Sequence, residues 1–214
     1  MEQVPRTDDI DAGYCLLFLR EVRDVAFATT DEAGLPAVRI IDVMMVEGGR
    51  LYFVAARGKA FYADVMRTRF VAIVGQSPDF RTCRLRGAVE HPDDEVEQHR
   101  LVDRIFELNP SMQELYPGDS RYVLEAFYLQ DAQGEYFDLS GTPIVRVPFA
   151  LGSAREAVAG FVITDRCVGC GTCAEACPEQ CIAAGSPYEI AQVHCLRCGR
   201  CAEVCPHDAI ERRS

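Results

Sequence analysis

The sequence is poor in lysine, in basic stretches and in long apolar runs. Its 214 residues include one lysine, Lys59, and 33 acidic against 22 basic side chains give a net charge of −11. Binding to nucleic acid requires a basic face, so we expect no nucleic-acid partner. No apolar run is long enough to span a bilayer, and the polar start Met1–Asp11 lacks the features of a secretory signal. We therefore expect no membrane partner and a cytoplasmic location.

Cysteine is scarce in the first 160 residues and abundant after them. Of the eleven cysteines, only Cys15 and Cys83 precede residue 160, and we interpret both as core residues. The other nine lie between Cys167 and Cys205. A disulfide framework is not expected in a compartment that reduces disulfides. Such clustering therefore indicates metal binding.

The late cysteines form an internal repeat. CVGCGTCAEACPEQCI (Cys167–Ile182) aligns with CLRCGRCAEVCPHDAI (Cys195–Ile210) at an offset of 28, and both copies contain C-x2-C-x2-C-x3-C-P. Thiolates are soft ligands that suit iron–sulfur clusters, and in two-cluster ferredoxins the fourth cysteine of each run ligates the other cluster. The predicted ligands are Cys167, Cys170, Cys173 and Cys205 for one cluster and Cys195, Cys198, Cys201 and Cys177 for the other.

Structural zinc is the alternative interpretation, because zinc also uses C-x2-C pairs. It does not account for the third cysteine or for the C-P ending, each present twice. Cys181 aligns with Ala209 and is interpreted as a small buried residue rather than a ligand.

Residues 161–210 resemble the bacterial 2[4Fe–4S] ferredoxin family, in which two clusters relay single electrons at low potential. We divide the chain into a first domain at residues 1–150, a linker at 151–160 and a ferredoxin-like domain at 161–214. The linker reads LGSAREAVAG, a stretch of small and weakly patterned residues.

Hydrophobic periodicity and turn residues indicate many short elements in the first domain. The predicted helices are Ile10–Val22, Lys59–Arg67 and Asp93–Leu108. The predicted strands are Val25–Thr30, Ala37–Val46, Leu51–Ala56, Phe70–Gly75 and Thr82–Glu90, followed by a hairpin of Tyr122–Leu129 and Glu135–Leu139. So many antiparallel strands favour a closed barrel with flanking helices.

One segment of this domain has the pattern of a phosphate site. A strand ending at Ala56 runs directly into Arg57, Gly58 and Lys59 and then into a helix. Backbone N–H groups at such a helix start can hold a phosphate, and Arg39 and Lys59 could neutralise it. Arg39 also lies in an apolar run, where a charge needs a partner. An ordinary solvated basic pair at a turn is the alternative.

Residues Ala26–Val147 resemble the pyridoxamine 5′-phosphate oxidase-like split-barrel flavoproteins. The resemblance rests on FATTDEAGLPAVRIIDV, GRLYFVAARGKAFYADVMRTRFVAIVG, CRLRGAVEHPDD and ELNPSMQELYPGDSRYVLEAFYLQDAQGEYFDLSG. It implies an α+β class chain whose antiparallel split β-barrel holds FMN at a homodimer interface. The implied site residues are Arg39, Arg57 and Lys59 for the phosphate, with backbone of Val38, Arg39, Ile40, Ile41, Val54, Ala55 and Ala56 along the ribityl chain and ring.

The sequence departs from that family at Ala55 and Ala56. Many relatives have Thr and Asn at these positions, so two side-chain hydrogen bonds to FMN would be missing. Arg84 and Arg86 alternate on a strand and are interpreted as a solvated face, and Glu125 as a packing residue.

The leading hypothesis is an iron–sulfur flavoprotein oxidoreductase in which the cofactors carry the chemistry. Single electrons would pass between two [4Fe–4S] clusters and FMN, with a redox protein or small molecule as electron partner. No catalytic residue is identified. One alternative is a ferredoxin-like carrier whose barrel is a flavin-free dimerisation scaffold. Another is a barrel that binds F420 or haem. Haem would need an axial ligand, and His91 and His99 are poorly placed for that role.

Overall fold

The computed structural model describes residues 9–157 and 159–213. The α-helices are α1 (Ala12–Val22), α2 (Ala60–Thr68), α3 (Glu95–Leu108), α4 (Met112–Leu115), α5 (Thr172–Glu175) and α6 (Arg200–Glu203). The strands are β1 (Asp24–Thr30), β2 (Pro36–Asp42), β3 (Met45–Glu47), β4 (Arg50–Ala56), β5 (Phe70–Gln76), β6 (Arg81–Ala88), β7 (Leu124–Leu129), β8 (Ala132–Asp138), β9 (Val145–Leu151), β10 (Gly160–Ile163), β11 (Ile182–Ala183), β12 (Glu189–Ile190) and β13 (Ile210–Arg213). Two 3-10 helices span Gly118–Val123 and Gln192–His194. Within the described residues, none of the helices has the length and apolarity needed to cross a membrane.

Two antiparallel sheets enclose the core of the N-terminal part. One sheet has six strands in the order β2-β1-β5-β6-β8-β9, and the other has three in the order β3-β4-β7. Their inner faces meet through aromatic rings. Phe53 lies 4.9 Å from Phe27 and 5.4 Å from Phe127 between ring centroids. The result is the split barrel that the resemblance implies, of α+β class, with helices packed on its outside.

Helix boundaries follow capping chemistry. The side chain of Asp11 accepts a hydrogen bond from the Tyr14 N–H at 2.7 Å and caps α1. Asp94 accepts from the Glu97 N–H at 2.8 Å and caps α3. A side-chain oxygen at this position satisfies an N–H that has no partner inside the helix. The predicted starts at Ile10 and Asp93 therefore move inward by two residues each.

Two strand predictions are wrong. The predicted strand Ala37–Val46 is two strands, β2 and β3, which belong to different sheets. The break falls where buried Val43 and Met44 point into the core. The predicted hairpin also fails, because β7 pairs with β4 whereas β8 pairs with β6 and β9.

The cysteine-rich part is built twice on one plan. Strand β10 pairs with β13 and β11 pairs with β12, and each copy contributes one short helix, α5 or α6. Gly171 and Gly199 precede these helices with φ of 83° and 85°. Glycine adopts this left-handed conformation without steric cost. The 28-residue sequence repeat is therefore also a repeat of backbone conformation.

Residues 152–157 join the two parts without helix or strand. Strand β9 ends at Leu151 and β10 begins at Gly160, so the segment lies where a linker is predicted. The domain limits at residues 150 and 160 stay predictions.

Candidate functional site

Four cysteines line one cavity of the cysteine-rich part. Cys167, Cys170, Cys173 and Cys205 surround it, together with Ile163 and Tyr188. Three of these cysteines come from the first repeat and one from the second, although 32 residues separate Cys173 from Cys205. The fold thus brings together the set predicted for the first cluster.

A second cavity repeats this arrangement. Its sulfur atoms come from the set predicted for the second cluster, and one further cysteine joins them: Cys177, Cys195, Cys198, Cys201 and Cys181. The Sγ atoms of Cys177 and Cys181 are 3.6 Å apart. Ala209, which aligns with Cys181, is 1% exposed. Five cysteines therefore line a cavity for which the sequence predicts four ligands.

The sulfur atoms surround these cavities rather than meeting at a point. Across residues 9–157 and 159–213, no three His, Cys, Asp or Glu side chains are arranged to hold a single metal ion. Burial raises the pKa of Cys201 to about 11 and also raises the pKa of Cys173. Because the thiolate is the form that binds metal, each of these two thiols would have to lose its proton before it could act as a ligand.

The second cavity is the one that lies against the barrel. Arg146 on β9 donates from Nε to the Cys195 carbonyl at 3.1 Å, and His194 Nδ1 lies 2.8 Å from the Ile144 carbonyl oxygen. Cys195 is buried, whereas Cys167, its counterpart in the first repeat, is half-buried. The loop of Cys195 is therefore docked on the barrel.

Glu135 on β8 holds this junction together. Its carboxylate binds three guanidinium groups, those of Arg84 at 2.6 Å, Arg197 at 2.5 Å and Arg146. The backbone N–H of Arg197 also donates to Cys195 Sγ at 3.3 Å. Glu135 and Arg146 are each 8% exposed, whereas the side chain of Arg84 is 63% exposed, so the network reaches from the buried junction to the surface. Arg84 is exposed, as the predicted solvated face requires, and it also pairs with Glu135.

Two of the residues predicted to bind phosphate already have carboxylate partners. Arg39 donates to Thr29 Oγ1 at 2.6 Å and to the buried Asp64 at 3.2 Å. Arg57 donates to the Tyr122 carbonyl at 2.8 Å and to Glu125 at 3.2 Å. Asp64 is thus the partner that the sequence requires for Arg39.

Lys59 is placed differently, at the start of α2. It is exposed, and helix α2 begins there without a side-chain cap. The first N–H groups of a helix and its dipole favour an anion. Lys59 and the first turn of α2 therefore suit a phosphate without rearrangement.

The remaining residues of the predicted flavin site lie on β2 and β4. Val38 and Ile40 are 65% and 64% exposed, because they point away from the core. Ile41 is half-buried and lies on the opposite face of β2. On β4, Ala55 is buried, and Val54 and Ala56 are half-buried.

A polar cluster beside Arg57 has no counterpart in the sequence prediction. Tyr62 donates to Glu125 Oε2 at 2.5 Å, and His91 Nε2 lies 2.7 Å from the same oxygen. Burial opposes ionisation of Glu125, but hydrogen bonds from Tyr62, His91 and Arg57 outweigh burial and lower the pKa of Glu125. Burial and Glu125 together raise the pKa of Tyr62 to about 12. Only the fold brings these residues together, so no spacing could have revealed them.

Comparison with known proteins separates the two parts of the chain. Residues 166–209 match the family of 4Fe-4S dicluster domains. A ferredoxin from Butyribacterium methylotrophicum is 53% identical over 30 residues, which are 14% of this chain and 54% of that ferredoxin. The chain thus spans about half the length of that relative. The dicluster domain carries the repeated cysteines, so this part of the chain is of the 4Fe-4S type.

Solved structures match the remainder of the chain in fold. A NimC/NimA family protein from Clostridium acetobutylicum is 24% identical, with a TM-score of 0.53 over 64% of this chain and 89% of its own. A pyridoxamine 5′-phosphate oxidase-related, FMN-binding protein from Nostoc punctiforme is 18% identical, with a TM-score of 0.51 over 66% of this chain and 87% of its own. At these identities the likeness establishes the split-barrel fold.

Proposed function

We propose that this chain is an iron–sulfur flavoprotein oxidoreductase. It would pass single electrons between two [4Fe–4S] clusters in the dicluster domain and an FMN in the barrel. The observation that carries the proposal is the docking of the Cys195 loop on β8 and β9 through Glu135. A dicluster domain held by an ionic network against a split barrel fits electron exchange with a cofactor in that barrel.

The proposed cluster ligands are those that line the two cavities. They are Cys167, Cys170, Cys173 and Cys205 for one cluster, and Cys195, Cys198, Cys201 and Cys177 for the other. We leave Cys181 out because the repeat has Ala209 in its place. When bound, the clusters supply one-electron transfer, with potentials that depend on hydrogen bonds and exposure around the sulfur atoms.

The proposed FMN site uses Lys59 and the first turn of α2 for the phosphate. Arg39 and Arg57 add positive charge, although Asp64 and Glu125 hold their side chains in place. Backbone at Val38–Ile41 and Val54–Ala56 would line the rest of the cofactor. FMN can exchange one or two electrons, so it would link the clusters to a small substrate. Exposed Val38 and Ile40 are consistent with a homodimer that covers this face.

A second candidate function is favoured by specific residues. Ala55 and Ala56 offer no side-chain hydrogen bond, and two of the three basic side chains already have carboxylate partners. These features fit a ferredoxin-like electron carrier whose barrel holds no flavin. Its partner would then be another redox protein.

Absorption spectra of protein purified without oxygen, with iron and released flavin counted on the same sample, test the proposal. We expect about eight irons per chain, the number two cubanes contain, and one FMN per barrel. Substituting Lys59→Gln should lower the flavin content and leave the iron content unchanged. Eight irons per chain without flavin, even after FMN is added, would exclude the flavoprotein function and support the electron-carrier function.

A further inference from the structure

The cleft between the barrel and the dicluster domain is positively charged in an acidic protein. A cavity of about 330 Å³ lies over β5, β6 and β8, beneath the loop that carries Arg197. An adjoining cavity, of about 350 Å³, shares Pro148 and Arg197 with it. Together they are lined by five arginines and two glutamates: Arg84, Arg86, Arg146, Arg197, Arg213, Glu135 and Glu156. The whole chain carries a net charge of −11.

Glu135 does not neutralise this cleft. Its single carboxylate is shared by the guanidinium groups of Arg84, Arg146 and Arg197. Arg86 has a long hydrogen bond of 3.3 Å to Gln133, and within residues 9–157 and 159–213 the buried Nε of Arg197 has no hydrogen-bond partner. Each guanidinium has five N–H donors. Donors therefore exceed the acceptors that the protein provides.

Arg197 occupies its position at a conformational cost. It has φ of 59°, and the corresponding residue of the first repeat, Gly169, has φ of 74°. Glycine takes this conformation freely, whereas the Cβ of any other residue crowds the following carbonyl oxygen. In the second repeat this side chain reaches Glu135 and the cavity. The cost is consistent with a role for the guanidinium that glycine could not fill.

Between its charged groups, the 330 Å³ cavity is lined mainly by small or apolar residues. Ala72, Leu85, Gly134 and Pro148 form its lining between the charged groups. None of the nine residues predicted for the flavin site lines this cavity. Apolar walls with a few convergent charged groups are typical of sites for small molecules. Forked guanidinium groups match the geometry of carboxylate and phosphate groups.

We propose that this cavity binds a small organic anion, through a carboxylate or phosphate group held by Arg84, Arg86 and Arg197. The ligand would lie beside the second cluster of the proposed function, because the Arg197 N–H donates to Cys195 Sγ. Reduction adds negative charge to that cluster, so a bound anion opposes reduction. Linkage then requires that the reduced protein binds the anion more weakly.

Calorimetric titration of the full-length holoprotein, purified without oxygen, tests the site. Malonate and inorganic phosphate are the two probes, and the one that binds more tightly identifies the preferred anionic group. We expect saturable binding that Arg86→Gln and Arg84→Gln each weaken about tenfold, the effect of losing one charge-assisted hydrogen bond. Arg86 lies at the surface, and its partner among the residues that the structure describes is Gln133 alone, so its substitution should not disturb folding.

Arg100→Gln is the matched control, because Arg100 is exposed on α3 and pairs only with Glu97. It removes the same charge far from the cavity and should leave malonate affinity unchanged. Equal weakening by Arg100→Gln, or absence of saturable binding for both probes, would overturn the proposal. Displacement of FMN by malonate would also overturn it, because the cavity would then be part of the flavin site.

A redox titration monitored by electron paramagnetic resonance tests the link to the cluster. Saturating malonate should lower the reduction potential of one cluster and leave the other unchanged. Unchanged potentials for both clusters would contradict the placement beside Cys195. Failure of the flavin proposal is distinguishable, because a flavin-free protein with eight irons would still bind malonate in the calorimeter.

Discussion

At the scale of single residues, the two repeats differ in side chains that the shared cysteine pattern does not predict. Cys181 and Arg197 stand where the other copy has Ala209 and Gly169. Cys181 lines the second cavity, and the backbone N–H of Arg197 donates to Cys195 Sγ beside that cavity. Both departures from the repeat therefore lie beside the Cys195 loop, which is docked on the barrel.

Cys177 and Cys181 provide a direct test of ligand choice. Cys177→Ala should remove one cluster, because the second cavity would lose one of its four proposed ligands. Cys181→Ala should keep about eight irons, since alanine already fills the equivalent position in the other copy. Iron and acid-labile sulfide counts on both variants make the measurement. Loss of iron in Cys181→Ala with retention in Cys177→Ala would reverse the assignment.

Arg39 and Lys59 separate a structural charge from a ligand-binding charge. Arg39→Met would leave Asp64, which is 6% exposed, without its closest cation. The free energy of unfolding of flavin-free protein should fall by about 2 kcal/mol, since the buried Asp64 would keep only the more distant and more exposed Arg67, at 3.8 Å, as its cation. Lys59→Met changes an exposed site, so it should leave the free energy of unfolding unchanged and weaken FMN binding. Urea denaturation and FMN titration measure the two effects. Equal stability of the two variants would refute the structural role.

At the scale of elements, a side chain completes the edge of the three-stranded sheet. Strand β7 is the last strand of the order β3-β4-β7, and an edge strand has unpaired backbone groups. Gln98 on α3 pairs with Ala126 on this edge. It accepts from the Ala126 N–H at 2.7 Å and donates to the Ala126 carbonyl at 3.1 Å. Its amide thus substitutes for a neighbouring strand and fixes α3 against the sheet.

Replacing Gln98 should therefore lower the free energy of unfolding by more than the size of its side chain implies. Gln98→Met preserves volume but leaves two buried backbone groups without partners, so we expect a loss of about 3 kcal/mol in the free energy of unfolding. Gln113→Met makes the same change on the exposed face of α4 and should have little effect. Thermal and urea denaturation of the two variants provide the comparison. Similar stabilities would mean that Gln98 does not hold this edge.

The sequence predicts elements of this chain better than it predicts their partners. Helices α1, α2 and α3 lie within two residues of their predicted starts because amphipathic periodicity and capping residues are local signals. The pairing of β7 with β4 instead of β8 is not local, since alternation specifies a strand and leaves its neighbour open. The Glu125 cluster and the Glu135 network likewise depend on strands that only the fold brings together.

At the scale of the whole molecule, one buried carboxylate joins the barrel to the dicluster domain. Glu135 binds Arg84 and Arg146 from the barrel and Arg197 from the Cys195 loop. Both parts therefore share one electrostatic network. The stability of the second cluster should depend on a residue that lies in the barrel.

Glu135→Gln tests this dependence. The variant keeps the shape of the side chain but leaves Arg146 and Arg197 without a compensating charge, so the junction should weaken by about 3 kcal/mol. We expect iron to be lost to a ferrous-iron chelator in two phases, with one cluster released faster than in the unsubstituted protein and the other at the same rate. Glu203→Gln is the matched control, because Glu203 forms an exposed pair with Arg200 inside the dicluster domain. Identical release rates for Glu135→Gln and Glu203→Gln would show that the barrel does not support the second cluster.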